Sequence, residues 1–189
     1  MLNIDVGGAK HRRDINGLWK IMDIQKGSDY IYNINSGKKI KLKDNFVDNY
    51  YLSMVLEHVI PSLTLFFLKE LYRTLKSSGL MRIIVPDARI GIDWYLNNPK
   101  KIKQKGNPSK PDYFPNTSLS NLFAWFYTND RKEKSGHSNA FDEETLNWYL
   151  KKAGFKDIRK MAYNKCSEIF KGKDYDRYKD YSIYVEVTK

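Results

Sequence analysis

The stretch from Pro61 to Asp87 limits the folds open to this chain more than any other part of it. Leu63, Phe67, Leu71 and Leu75 fall four residues apart, and Phe66 and Leu68 widen the same stripe. Apolar side chains at that spacing share one helix face, and Pro61 suits a first helical turn, where its missing N–H would have no partner anyway. The spacing predicts a helix over Pro61 to Lys76, closed by Gly79. Leu80 to Val85 (LMRIIV) follows immediately as a run, apolar but for Arg82, that stops at Pro86-Asp87. A helix feeding straight into a buried strand is half of a crossover, and crossovers join parallel strands in sheets covered by helices.

The remaining segments extend that pattern. Met1 to Val6, Leu18 to Ile24, Tyr30 to Ile34 and Val47 to Ser53 are brief apolar or aromatic runs bounded by Gly, Asp or Asn, and they are expected to be strands. Between Asn97 and Thr117 the chain carries Pro99, Pro108, Pro111 and Pro115 among lysines, which predicts a basic loop or lid without regular structure. A helix is expected from Ser118 to Tyr127. Another runs from Glu143 to Ala153, with Asp142 as N-cap and Gly154 as C-terminal cap. Phe155 to Met161 and Tyr181 to Thr188 alternate as two late strands suited to antiparallel pairing. The fold class is therefore α/β: three layers around a mostly parallel sheet, with an antiparallel strand near the C-terminus.

Composition excludes several classes. With 189 residues, 41% apolar and 29% charged, the chain suits one domain over residues 1–189. No apolar run approaches the ~20 residues of a membrane helix, and no signal-peptide pattern opens the sequence. Cys166 is the single cysteine, which excludes an internal disulfide and a cysteine-built zinc site; a cytoplasmic location fits. No metal site is expected. The net charge of +11 invites a polyanion reading, but 25 of the 33 basic residues are lysines, scattered along the chain. Arginine is the better bidentate partner for phosphate, so a nucleic-acid partner is not favoured.

In an open parallel sheet ligands lie beyond the carboxyl ends of the strands. That directs attention to Asp5 to Ala9, Asp23, Asn33, Ser53 to His58, and Pro86-Asp87. Glycines after a first strand allow close approach of backbone to ligand, and an acid at a second strand's tip can accept both hydroxyls of a ribose. From Gly7 the chain reads Gly7-Gly8-Ala9-Lys10-His11-Arg12, so the third glycine of a dinucleotide turn is missing, and no triphosphate-cradling motif occurs.

Leu2-Asn3-Ile4, Gly7-Gly8, Trp19, Asp23, Lys43 to Asp48 and Ser53 to Val59 (SMVLEHV) together resemble the small class I S-adenosylmethionine-dependent methyltransferases. Leu68 to Gly79 (LKELYRTLKSSG) followed by Leu80 to Asp87 is similar to that family's crossover, and Gly136-His137, Asp142 to Leu146 and Ala153-Gly154-Phe155 resemble its late segments. The resemblance implies a seven-stranded sheet with S-adenosylmethionine over the ends of the first, second and fourth strands. It would set Gly7 and Gly8 against the cofactor's amino-acid part, Asp23 on its ribose, and Asn33 near its adenine. Ser53, Met54 and Leu56 would line the methionine region.

Two departures from the family pattern stand out. Asp5 and Val6 occupy the first two places of its glycine turn. Either Asp5 replaces a glycine, or, in the register preferred here, Asp5 ends the strand and its carboxylate accepts from the cofactor's ammonium group. Lys10 to Gly17 is also poor in apolar residues for a first helix.

Methyl transfer needs mainly alignment, with a base only for acceptors that carry a proton. His58 and His137 are the candidate bases, with Glu57 either orienting His58 or capping the next helix. His11 is expected at a surface turn. Trp94, Tyr95, Tyr113, Phe114, Phe123, Trp125, Phe126 and Tyr127 could roof an acceptor pocket or simply pack. The expected partner is a small-molecule methyl acceptor. A non-catalytic binding module is the alternative, as is RNA or another polyanion held by the basic loop.

Overall fold

The computed structural model of this protein describes residues 1–8, 17–104, 115–127 and 136–189. Seven strands form one sheet: β1 (Asn3–Val6), β2 (Trp19–Asp23), β3 (Tyr30–Ile31), β4 (Val47–Ser53), β5 (Leu75–Pro86), β6 (Lys156–Met161) and β7 (Ser182–Thr188). Their order is β3-β2-β1-β4-β5-β7-β6. The first five in that order run parallel, while β7 pairs antiparallel with both β5 and β6. The chain passes from β1 outward through β2 and β3, then returns to pair β4 on β1's other side. That reversal opens a crevice at the carboxyl edge between β1 and β4.

Strand alternation divides the residues between two faces. Ile4, Val6, Tyr50, Leu52, Met81, Ile83, Val85, Val185 and Val187 enter the larger core, beneath α1 (Pro61–Thr74) and α5 (Glu143–Ala153). Phe67, Leu68 and Leu71 of α1 and Leu146 and Leu150 of α5 complete it, all fully buried. The opposite face carries Trp19, Tyr51, Ile84 and Tyr184, closed by Phe170. Phe170 belongs to the 162–181 connection between β6 and β7, which forms the third layer of the described molecule. Ions anchor it: Arg82 pairs with Asp174 at 2.6 Å and with Glu186 at 3.0 Å, all three fully buried. Arg82 also donates to the carbonyl of Ala162 at 3.1 Å.

Two local expectations fail. The first helix stops at Thr74: the Leu75 N–H still bonds the Leu71 carbonyl, but Leu75 itself is already extended, and Thr74 Oγ1 donates back to the Glu70 carbonyl at 2.8 Å. Gly79 therefore lies inside β5. A Cβ there would sit 2.6 Å from Leu75 Cδ1 and 2.8 Å from the Asp48 carbonyl, so glycine answers a close approach of β4 and not a helix end. The proline-bearing stretch is also partly helical. Beyond α2 (Ala88–Asn97), Pro99 opens α3 (Pro99–Gln104), which buries Ile102 completely and sets Lys101 Nζ 4.5 Å above the Trp94 ring. Thr117 caps α4 (Ser118–Phe126) by accepting from the Ser120 N–H. The expected lid between these helices lies largely outside the described residues, as do His11, Tyr113 and Phe114. Among the described residues no helix is long and apolar enough to cross a membrane.

Candidate active site

The carboxyl edge of β1, β2 and β4 gathers most of the expected site residues. After β1 the backbone turns at Gly7, with φ +74 and its N–H donating to the Met22 carbonyl at 2.9 Å. A Cβ on Gly7 would meet Val55 Cγ2 at 2.9 Å, and one on Gly8 would meet the Asp5 carboxyl at 2.9 Å. Both glycines are fixed by crowding at the crevice, and Gly7 also by its backbone angle. Residues 9–16 lie outside the described set.

Asp5 is buried at this edge, but it does not face a ligand. Its carboxylate accepts from Lys173 Nζ at 2.8 Å, and that ammonium lies 4.2 Å from the Trp19 ring centroid and 4.8 Å from that of Tyr51. Burial raises the Asp5 pKa and Lys173 opposes the rise. The expectation that Asp5 would receive a cofactor ammonium is corrected: the protein's own lysine holds that acceptor.

Asp23 ends β2, half-buried, and its Oδ1 accepts from the Gln25 N–H at 3.1 Å, a turn that fixes the carboxylate at the strand tip. Asn33 lies two residues past β3, exposed, with Oδ1 accepting from Asn35 N–H. It lines a cavity of about 420 Å³ together with Met22, Tyr30, Tyr32 and Ile40, a volume in the range of small-molecule sites. Ser53 closes β4, and its buried Oγ has no hydrogen-bond partner among the described residues. Met54 follows with φ +56, a left-handed angle that non-glycine residues seldom adopt. Leu56 is fully buried in the larger core, so it supports the edge from beneath and does not line a pocket, contrary to expectation.

A 3-10 turn, Leu56–His58, then places Glu57 and His58 beside the segment that carries His137. The Glu57 carbonyl accepts from the N–H groups of Ser138 and Asn139 at 2.7 and 3.0 Å, and this docks the two strands of chain together. The imidazoles of His58 and His137 meet edge to face with centroids 5.0 Å apart. His58 Nδ1 lies 3.2 Å from the Gly136 carbonyl, and His137 Nδ1 lies 2.7 Å from the Trp125 carbonyl. A carbonyl offers no proton, so both rings carry hydrogen on Nδ1 and present Nε2 as the basic atom. Burial lowers the His137 pKa.

Glu57 neither orients His58 nor caps the following helix. Its side chain is buried, and both carboxylate oxygens lack a hydrogen-bond partner among the described residues. Desolvation pushes its carboxyl up to about 8. Trp125, placed by the sequence among packing or roofing aromatics, packs edge-on against Trp94 and Tyr181 and keeps a buried Nε1 without a hydrogen-bond partner among the described residues. Asp87 serves as N-cap of α2 through the Arg89 N–H. Sequence reasoning missed Lys173, which meets Asp5 across nearly the whole chain, and Asn35, whose amide bridges the His58 carbonyl and the Ile60 N–H.

No protein-family model and no curated protein matches the sequence. Solved structures do match. The chain is similar to a SAM-dependent methyltransferase from Thermotoga maritima at 18% identity and a TM-score of 0.58, over 99% of this chain and 81% of that one. A SAM-dependent methyltransferase from Archaeoglobus fulgidus matches at 16% identity and 0.56, over 100% and 86%. The 1,6-didemethyltoxoflavin-N1-methyltransferase of Burkholderia thailandensis, solved with 1,6-didemethyltoxoflavin and S-adenosylhomocysteine, matches at 11% and 0.54, over 100% and 70%. The sheet order, the placement of β7 and these likenesses together give the chain the fold of the class I SAM-dependent methyltransferases.

Proposed function

We propose that this protein transfers a methyl group from S-adenosylmethionine to a small-molecule acceptor. The observation that carries the reading is the bare Gly7-Gly8 turn at the β1–β4 reversal, where a Cβ on Gly7 would strike Val55 Cγ2 and one on Gly8 the Asp5 carboxyl, so that only backbone fits at this strand end. The residues present fit such a cofactor at four further points: the Asp23 carboxylate at the β2 tip, the cavity beside Asn33, the orphaned Ser53 hydroxyl and the strained Met54. When bound, the cofactor supplies an activated methyl electrophile.

The chain's own residues then bind and align. Gly7 and Gly8 admit the amino-acid part to the backbone, and Ser53 gains a partner for its Oγ. Asp23 accepts from the ribose hydroxyls, and Asn33 meets the adenine amine. Asp5 acts at one remove, by fixing Lys173 beneath the turn. His58 and His137 stand at the acceptor end, where an Nε2 takes up the proton that a hydroxyl or amine acceptor releases. A small-molecule acceptor agrees with the neighbour solved with such a substrate. One cysteine, Cys166, suits a reducing compartment such as the cytoplasm.

Calorimetric titration with S-adenosylhomocysteine tests the reading, and single-site binding is the expected result. Asp23→Ala should weaken it by ~1.5–3 kcal/mol, the worth of hydrogen bonds to a charged group. No heat and no thermal shift at millimolar ligand would end the proposal.

A further inference from the structure

We infer that Glu57, His58 and His137 form a binding site for one divalent transition-metal ion of the zinc type. One nitrogen from each imidazole and one Glu57 oxygen lie within 4.8 Å of one another. Two histidines and a carboxylate are a donor set that suits zinc and its neighbours, with a position left for water or a substrate oxygen.

Two further observations point to a ligand. Metal-binding imidazoles characteristically give their other N–H to a carbonyl or carboxylate, which fixes the ring and directs the lone pair at the ion. Both rings here are held in that way, His58 by the Gly136 carbonyl and His137 by the Trp125 carbonyl. Glu57 is the second: it is 1% exposed, and among the described residues neither carboxylate oxygen has a hydrogen-bond partner. Burying a polar group without a partner is costly, and such groups in native proteins call for a counter-ion or a water. A divalent ion between the two imidazoles supplies that counter-charge.

Tetrahedral zinc with bonds of about 2.0–2.1 Å sets its ligand atoms about 3.3 Å apart, so the three groups would close inward by rotation of their side chains. The backbone is already fixed for this, since Glu57 and His58 share one 3-10 turn and the Glu57 carbonyl holds Ser138 and Asn139. With an ion seated, both Nε2 lone pairs are committed to it. In the loaded protein the pair then orients an oxygen ligand in place of the proton uptake proposed above.

The inference does not depend on methyl transfer, and its test is kept separate. The untagged full chain, stripped with EDTA, is titrated with cobalt chloride while visible absorption is followed, and zinc chloride is then added to displace the cobalt and bleach the spectrum. One ion per chain is expected, with a cobalt d–d spectrum typical of mixed nitrogen and oxygen ligands. Glu57→Gln, nearly the same shape, should weaken binding at least tenfold, and His137→Ala should do the same, since even groups behind the ligands are worth 10–100-fold. Far-ultraviolet circular dichroism checks that both variants fold. No stoichiometric binding by the parent, or zinc binding that survives unchanged in folded Glu57→Gln, overturns the site. Titration of the EDTA-stripped protein with S-adenosylhomocysteine reports on the cofactor alone, so failure of one reading leaves the other standing.

Discussion

Lys173 is the residue whose placement most alters the picture drawn from the sequence. Its ammonium is fully enclosed, paired with Asp5 and set against the faces of Trp19 and Tyr51. Burying two charges is worthwhile only when each satisfies the other, and removing one leaves a bare charge in a dry place. Lys173→Met should therefore destabilise the fold by about 3–5 kcal/mol in urea unfolding, and adding Asp5→Asn should recover much of that loss. Equal stability of the single variant and the parent would show that the pair contributes nothing. None of this was legible beforehand. The sequence marks Asp5 as an acid at a strand end, and its partner lies 168 positions away with no local signal. Gly7, Gly8 and Asp23 were legible, because turn glycines and a strand-tip acid are consequences of local backbone geometry.

At the scale of elements, α1 shows why a run of polar residues keeps company with its apolar stripe. Glu70 accepts from the Ile40 N–H at 2.8 Å and pairs with Arg73 at 2.7 Å, while Arg73 donates to the carbonyls of Ile40 and Leu42. Two side chains one turn apart thus pin the segment leading into β4. Hydrogen bonds from Arg73 hold the Glu70 carboxyl below its ordinary value of 4.5. A depressed acid contributes stability above its unfolded pKa, and that contribution is lost as pH falls through the folded one. Glu70→Gln should therefore flatten the decline in stability below about pH 4.5, where acid unfolding of the two proteins can be compared. Identical acid limbs would remove Glu70 from the account. Apolar spacing made α1 and β4 readable and Asp142 and Gly154 made the ends of α5 readable. The length of α1 was misread because Gly79 answers a contact with Asp48, which only the packed sheet reveals. The helix α3 was missed because a lysine-rich stretch with one buried isoleucine carries no period.

For the whole molecule, topology was legible and the site only in part. Alternating helix and strand signals lead to a parallel sheet, and a sheet of this order has one place where ligands gather. What local pattern could not supply was how the connections close over that place. The β6–β7 connection returns across the sheet to bury Arg82, Asp174 and Glu186, and His137 comes back to His58 over the carboxyl edge. The central claim is that the edge of β1, β2 and β4 holds an adenosyl amino acid. A crystal structure grown with S-adenosylhomocysteine tests it most directly. The account predicts the adenosyl group above that edge, with its ribose on Asp23, its base beside Asn33, and Lys173 still bound to Asp5. Ligand bound elsewhere, or the crevice at Gly7 and Ser53 closed by the protein's own side chains, would contradict it.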